Sequence, residues 1–195
     1  MPRKVRELED NGIYHIFNRS NDRRKLFREP VDYDVFLKLL KIKKEKYPTE
    51  LFHYCLMTNH YHLLLRIGNA QELKYLMHEL QLGYARYFKK KYKLSGHVFQ
   101  ERYRSPRIPE ESYYLQCGRY IERNPVQVKM VAEAWEYLYS SAAYYALGNE
   151  DKLITENLYY KGLGQSAQER RERYRDFLLL DDPYSNMIDQ QLVKV

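Results

Sequence analysis

Two runs of strand-forming residues, Leu51–Met57 and His60–Ile67, are separated only by Thr58-Asn59. A two-residue connection between apolar runs predicts a tight β-hairpin, so an antiparallel pair anchors any fold this chain can adopt. Side chains alternate between the faces of a strand. With the turn at Thr58-Asn59, Met57 pairs with His60 and Cys55 with His62. One face then carries His53, Cys55, Met57, His60, His62, Leu64 and Arg66. The other carries Phe52, Tyr54, Leu56, Tyr61, Leu63, Leu65 and Ile67, an apolar surface that needs a cover.

The flanking sequence supplies that cover. Ile13–Arg19 reads as a first strand, followed by a polar loop. Pro30 suits the first turn of a helix running to about Lys46, with Val31, Val35, Phe36, Leu39 and Leu40 in a helical stripe. A second helix spans about Gln71 to Lys90, with Leu73, Leu76, Met77, Leu80 and Tyr84 on one side. Val98 to Ile108 reads as extended, interrupted by Pro106. A third helix spans about Glu111 to Arg123 and is expected to stop at Pro125. This order predicts an α+β fold: a ferredoxin-like antiparallel sheet with helices on one face, then a further helix. Residues 1–130 form the expected core domain, and 131–195 a mostly helical extension packed on it. Ser166 to Glu169 reads as a capping box opening the last helix.

Composition narrows the function classes. Of the 195 residues, none lie in an apolar run near the roughly 20 needed to span a bilayer. The start, Met1-Pro2-Arg3-Lys4-Val5-Arg6, has no apolar stretch behind it and does not read as a signal peptide. Two cysteines, Cys55 and Cys117, make no disulfide framework and fit a reducing cytoplasm, with no membrane partner. The net charge of +7 is uneven. Residues 1–110 hold 23 Lys and Arg against 13 Asp and Glu, whereas residues 111–195 hold 10 against 13. A basic portion of this kind fits a polyanion-binding face, and equally a soluble protein with ordinary surface lysines.

The chemistry is concentrated on the polar face of the hairpin. His60 and His62 point the same way, roughly 7 Å apart along the strand, and neutral imidazole is a common metal ligand. A His-x-His pair also arises by chance in a chain with six histidines. In the third helix Tyr120 and Asn124 are four apart and share a face. A phenol can act as a nucleophile, and an amide oxygen can complete a mixed N/O set suited to Mg²⁺ or Mn²⁺, with Zn²⁺ also fitting. Taken alone, Tyr120 on a helix face equally suits packing, and Asn124 a helix end. His15, His53 and His78 read as packing or surface residues.

Four blocks, taken together, carry a resemblance. The run Cys55-Leu56-Met57-Thr58-Asn59-His60-Tyr61-His62-Leu63-Leu64-Leu65 is similar to the His-hydrophobic-His strand of the single-tyrosine transposases. Tyr14-His15-Ile16-Phe17-Asn18-Arg19 resembles their first strand, and Gly96-His97-Val98-Phe99-Gln100-Glu101-Arg102-Tyr103 their second block. Tyr120-Ile121-Glu122-Arg123-Asn124-Pro125-Val126 resembles their catalytic-tyrosine helix. Within that family the blocks resemble the REP-associated tyrosine transposases, stand-alone enzymes acting on palindromic repeats. Thr58 stands where relatives often have Pro, which a turn tolerates.

The resemblance implies a transesterase of single-stranded DNA. Tyr120 would attack a phosphodiester and form a 5′-phosphotyrosine. His60, His62 and Asn124 would hold a divalent metal, Mg²⁺ or Mn²⁺. The partner would be single-stranded or hairpin DNA, gripped through Arg19, Arg23, Arg24, Lys89, Lys90, Lys91, Lys93, Arg102, Arg104 and Arg107. His97 and Gln100 would support the ligands or be structural. The alternatives are a non-cleaving protein that binds DNA hairpins, and a nuclease that uses water with Tyr120 structural. Monomer and homodimer both stay open.

Overall fold

The computed structural model of the chain describes residues 8–108 and 112–180. Strands β1 (Ile13–Arg19), β2 (Thr49–Met57) and β3 (His60–Ile67) form an antiparallel sheet in the order β1-β3-β2. Helices α1 (Pro30–Lys46) and α2 (Ala70–Tyr92) cover one face. Helix α3 (Ser112–Gln127) packs on the other, against β2 and β3. The expected start of α3 at Glu111 lies outside the described residues. Three short helices follow: α4 (Ala142–Leu147), α5 (Leu158–Lys161) and α6 (Ala167–Leu179).

The hairpin register is the one the turn dictates, with Met57 opposite His60 and Cys55 opposite His62. The alternation breaks ahead of His53. The register shifts between Leu51 and His53, so Phe52 leaves the α1/α2 side and joins Cys55, Met57, Leu64 and Tyr120 under α3. A bulge inserts one extra residue and so reverses the parity of those before it. The α1/α2 face is dry and aromatic: Tyr61, Leu63 and Leu65 of β3 meet Phe36, Leu40, Leu73, Met77 and Leu80.

The expected fourth strand is not continuous. Residues 98–108 run along the free edge of β1 through isolated bridges at Ser20–Phe99, Phe17–Arg104 and Tyr14–Arg107. Between the first two, Glu101 to Tyr103 leaves the ladder, and Asn18 Nδ2 donates to the Glu101 carbonyl at 3.0 Å. Pro106 contributes only its carbonyl, which accepts from His15 N. On the opposite edge, residues from the C-terminal part bond to β2. Leu56 N donates to Tyr139 O, Ser141 N to Tyr54 O, and Thr155 N to Leu51 O.

Helix α1 begins with Pro30 at its first turn and a reciprocal Glu29/Asp32 cap. Asp32 is fully buried and accepts from the Arg28 and Glu29 amides, the Tyr87 and Tyr92 hydroxyls and Lys91 Nζ. Burial alone would raise its pKa. The hydrogen bonds from Lys91, Tyr87, Tyr92 and Arg28 outweigh burial and hold it at about 2. At α6, Ser166 Oγ accepts from Glu169 N as expected of its cap, while Glu169 Oε2 reaches back to Gln165 N.

Helix α3 runs past Pro125 to Gln127, where the sequence predicts a stop before the proline. A helical proline normally leaves the carbonyl four residues earlier without a donor. Here Asn124 Nδ2 donates to the Ile121 carbonyl at 3.2 Å, and to the Tyr120 carbonyl at 2.8 Å. The asparagine side chain supplies the donor that Pro125 lacks.

Candidate active site

The site lies where the polar face of β3 meets α3. His60 and His62 project from alternate positions of β3, with ring centroids 5.0 Å apart and planes nearly perpendicular. Tyr120 is almost entirely buried, its ring 6.0 Å from that of His62. Asn124 stands one helical turn on. All four line one cavity of about 490 Å³, a size suited to a small ligand or a nucleotide. Arg19, Arg23, Arg102 and Arg104 line the same cavity, with Gln100, Glu101 and Gln127. One chain supplies every member of the set.

The hairpin turn that carries His60 is tied down from outside. The Thr58 carbonyl accepts from Leu26 N and Phe27 N, and the Asn59 carbonyl from Ser20 N. His60 Nδ1 donates to Asn59 Oδ1 at 2.6 Å. His62 Nδ1 lies 2.9 Å from His15 Nε2. In each case Nδ1 is engaged, which leaves Nε2 as the atom a metal would take. Asn124 spends its Nδ2 on helix carbonyls, so Oδ1 is the atom it turns towards His60.

Electrostatics favour neutral imidazoles here. Burial lowers the His60 pKa to about 4; a hydrogen bond with Asn124 partly offsets this, and the charge of Arg19 adds to the lowering. Burial lowers His15 to about 3. Burial, and then the neighbouring His60 and His15, lower His62 well below its usual range. At neutral pH all three therefore keep a lone pair. Two neutral histidines and an amide lining one cavity fit, as a donor set, a divalent cation of the Mg²⁺ or Mn²⁺ type, and the same set accepts Zn²⁺.

The remaining residues named from sequence are dispersed. Arg24 pairs with Asp22 at 3.2 Å and Arg107 with Glu9 at 2.7 Å, both outside the cavity lining. Lys89, Lys90, Lys91 and Lys93 sit at the end of α2, which covers the opposite face of the sheet. Lys91 is committed to Asp32 and Glu29. Gln100 lines the cavity, whereas His97 is exposed and outside its lining. His53 is fully buried and His78 exposed, both outside the cavity lining.

Sequence reasoning missed two groups. His15, read from sequence as a packing or surface residue, is buried beside the site against His62 and Tyr120. Its place follows from strand parity once β1 is registered on β3, which pairs Phe17 with His62 and His15 with Leu64. Glu122 was also overlooked. It faces away from the cavity, fully buried, and accepts from His53 Nδ1 at 2.8 Å, Ser141 Oγ at 2.6 Å and Tyr174 OH at 2.7 Å. That hub fastens α3 to β2, α4 and α6. The Leu180 carbonyl also accepts from Arg119 and Arg123 of α3.

Among the described residues no helix is long and apolar enough to cross a membrane. No curated protein matches the chain. Among solved structures the chain is similar to that of a REP-associated tyrosine transposase bound to a REP hairpin. The identity is 17%, the TM-score 0.64, and the alignment covers 81% of this chain and 93% of the other. A structure from Deinococcus radiodurans R1 assigned to a transposase aligns at 20% identity and a TM-score of 0.43, over 63% of this chain and 97% of its own. The model of the IS200-like transposase family matches residues 9–124, which span β1 through Asn124 and hence all of the cavity lining except Gln127 and Val128. The chain belongs to the IS200-like transposase family.

Proposed function

We propose that the protein is a single-stranded DNA transesterase that cleaves and rejoins DNA at repeat hairpins. One observation carries this reading: Tyr120, His60, His62 and Asn124 of a single chain converge on one arginine-lined cavity. Tyr120 Oη attacks the scissile phosphorus. A Tyr120 O–P bond forms, the P–O3′ bond breaks, and the departing 3′ oxygen takes up a proton as the phenol loses one. The product is a 5′-phosphotyrosine with a free 3′-hydroxyl, and attack by a 3′-hydroxyl reverses the step. One phosphodiester replaces another, so no nucleotide hydrolysis is needed.

His60, His62 and Asn124 would hold Mg²⁺ or Mn²⁺, which would draw charge from the scissile phosphate. Burial of Tyr120 among His15 and His62 restricts its rotamers and keeps bulk water away. Arg19, Arg23, Arg102 and Arg104 bind the backbone phosphates. Residues 1–130 are the catalytic domain in this reading, and 131–195 an extension; its described part, to Leu180, packs on the core and braces α3 through Glu122. A hairpin substrate is supported by the folded likeness to a transposase bound to a REP hairpin.

The test uses single-stranded DNA with a hairpin from repeats flanking the gene, incubated with protein and Mg²⁺ or Mn²⁺. Denaturing electrophoresis should show cleavage and a covalent adduct. Tyr120→Phe should abolish both and keep hairpin binding. Cleavage by Tyr120→Phe would instead indicate a nuclease that uses water. Binding without any cleavage by the wild type would indicate a non-cleaving hairpin-binding protein.

A further inference from the structure

His15 occupies the centre of β1 and is buried, on the face that α3 covers. Its Nε2 lies 2.9 Å from His62 Nδ1, and its ring packs 6.0 Å from that of Tyr120. Two nitrogens this close share one proton. A neutral imidazole carries a hydrogen on only one of its nitrogens. If His15 donated, His62 would carry its own hydrogen on Nε2 and could not offer that atom to a cation. If His62 donates, its Nε2 lone pair is free and directed at the cavity. The two arrangements differ only in where the protons sit, but only the second permits ligation.

We infer that His15 is a positioning residue that accepts a hydrogen bond from His62 Nδ1 and thereby holds His62 in the tautomer and ring orientation able to ligate the cation. The inference rests on the proposed metal role of His62. His15 itself then carries its hydrogen on Nδ1. Its edge-on contact with Tyr120 couples the same side chain to the placement of the nucleophile, so one residue of β1 registers the ligand strand against the tyrosine helix.

The test compares His15→Phe and His15→Gln with the wild type for Mn²⁺ binding by titration calorimetry, without DNA. Loss of an oriented outer partner typically weakens metal affinity about ten- to a hundredfold. His15→Phe should show that loss while keeping hairpin binding. His15→Gln, whose side-chain carbonyl can accept from Nδ1, should recover most of the affinity. Wild-type affinity in His15→Phe, or equal losses in both variants, would overturn the inference. Histidine ¹⁵N spectra of the wild type with Zn²⁺ give a reading independent of any variant's folding. They should show hydrogen on Nδ1 of His62 and none on Nε2 of His15, and a hydrogen on Nε2 of His15 would overturn it. Failure of the wild type to bind any of these cations would instead remove the metal reading beneath it.

Discussion

Helix α3 carries a polar cluster on each side, and the two are built on opposite terms. Towards the C-terminal part, Glu122 accepts from His53, Ser141 and Tyr174, all in the dry interior. Towards the cavity, His60, His62 and Asn124 have their inner atoms engaged by Asn59, His15 and the helix carbonyls. Their other polar atoms border the cavity that all three line. Asp32 repeats the first pattern at the start of α1, with five donors on one carboxylate. A carboxylate closed on buried donors contributes to the fold, since those donors would be costly to strand, even though His53 Nε2 is itself buried without a partner. A cluster closed on one side only is organised for something not yet bound.

That contrast predicts opposite responses to mutation. Glu122→Leu strands three buried donors and should cost about 3–5 kcal/mol in urea unfolding. A cost below about 1 kcal/mol would show that the hub is not closed in solution. Asp32→Asn should cost about 2 kcal/mol at pH 7. The sign follows from a folded pKa of about 2, below the ordinary 3.8. The stabilisation is complete above the unfolded value and is lost as pH falls through the folded one. Acid titration of unfolding free energy should therefore show a slope between about pH 4 and 2 in the wild type that Asp32→Asn lacks.

Gly118→Ala sharpens the comparison through its sign. Alanine is worth about 1 kcal/mol over glycine inside a helix. A Cβ at Gly118, however, would meet His53 Nε2 at 2.6 Å, on the ring whose Nδ1 reaches Glu122. Overpacking of about 2 kcal/mol should prevail, giving a net loss of about 1 kcal/mol by thermal unfolding. His60→Ala should have the smallest effect on stability, about 1 kcal/mol or less. The same variant should weaken Mn²⁺ binding at least about a hundredfold, read by calorimetry. A large loss of stability with unchanged Mn²⁺ binding would erase the distinction between the two clusters.

Much of the site could be read from sequence because it rests on short-range rules. A two-residue turn fixes the register of β2 on β3, and parity then places His60 with His62. A four-residue spacing places Tyr120 with Asn124. The failures arise where a longer-range contact overrides a local rule. The bulge before His53 moves Phe52 across the sheet. The Asn124 amide carries α3 through Pro125, where the local preference is to stop. His15 needed the pairing of β1 with β3, which no periodicity announces. Glu122 and Tyr174 meet across 52 residues of chain, and the donors of that hub come from elements with no common sequence pattern. The uneven charge was a blunt guide: four arginines of the basic portion line the cavity, while Lys91 is spent on Asp32.

Asn124 has two ends with separate obligations. Its nitrogen repairs the helix that Pro125 interrupts, and its oxygen turns to His60 because the nitrogen is occupied. Aspartate would keep an oxygen for the cation but lose the repair. Alanine would lose both, and glutamine would move both ends outward by one methylene. Replacing Pro125 by alanine would return an amide donor to the Ile121 carbonyl and free the side chain to turn over. The two neighbours are thus interdependent: a substitution acceptable at either one depends on what stands at the other.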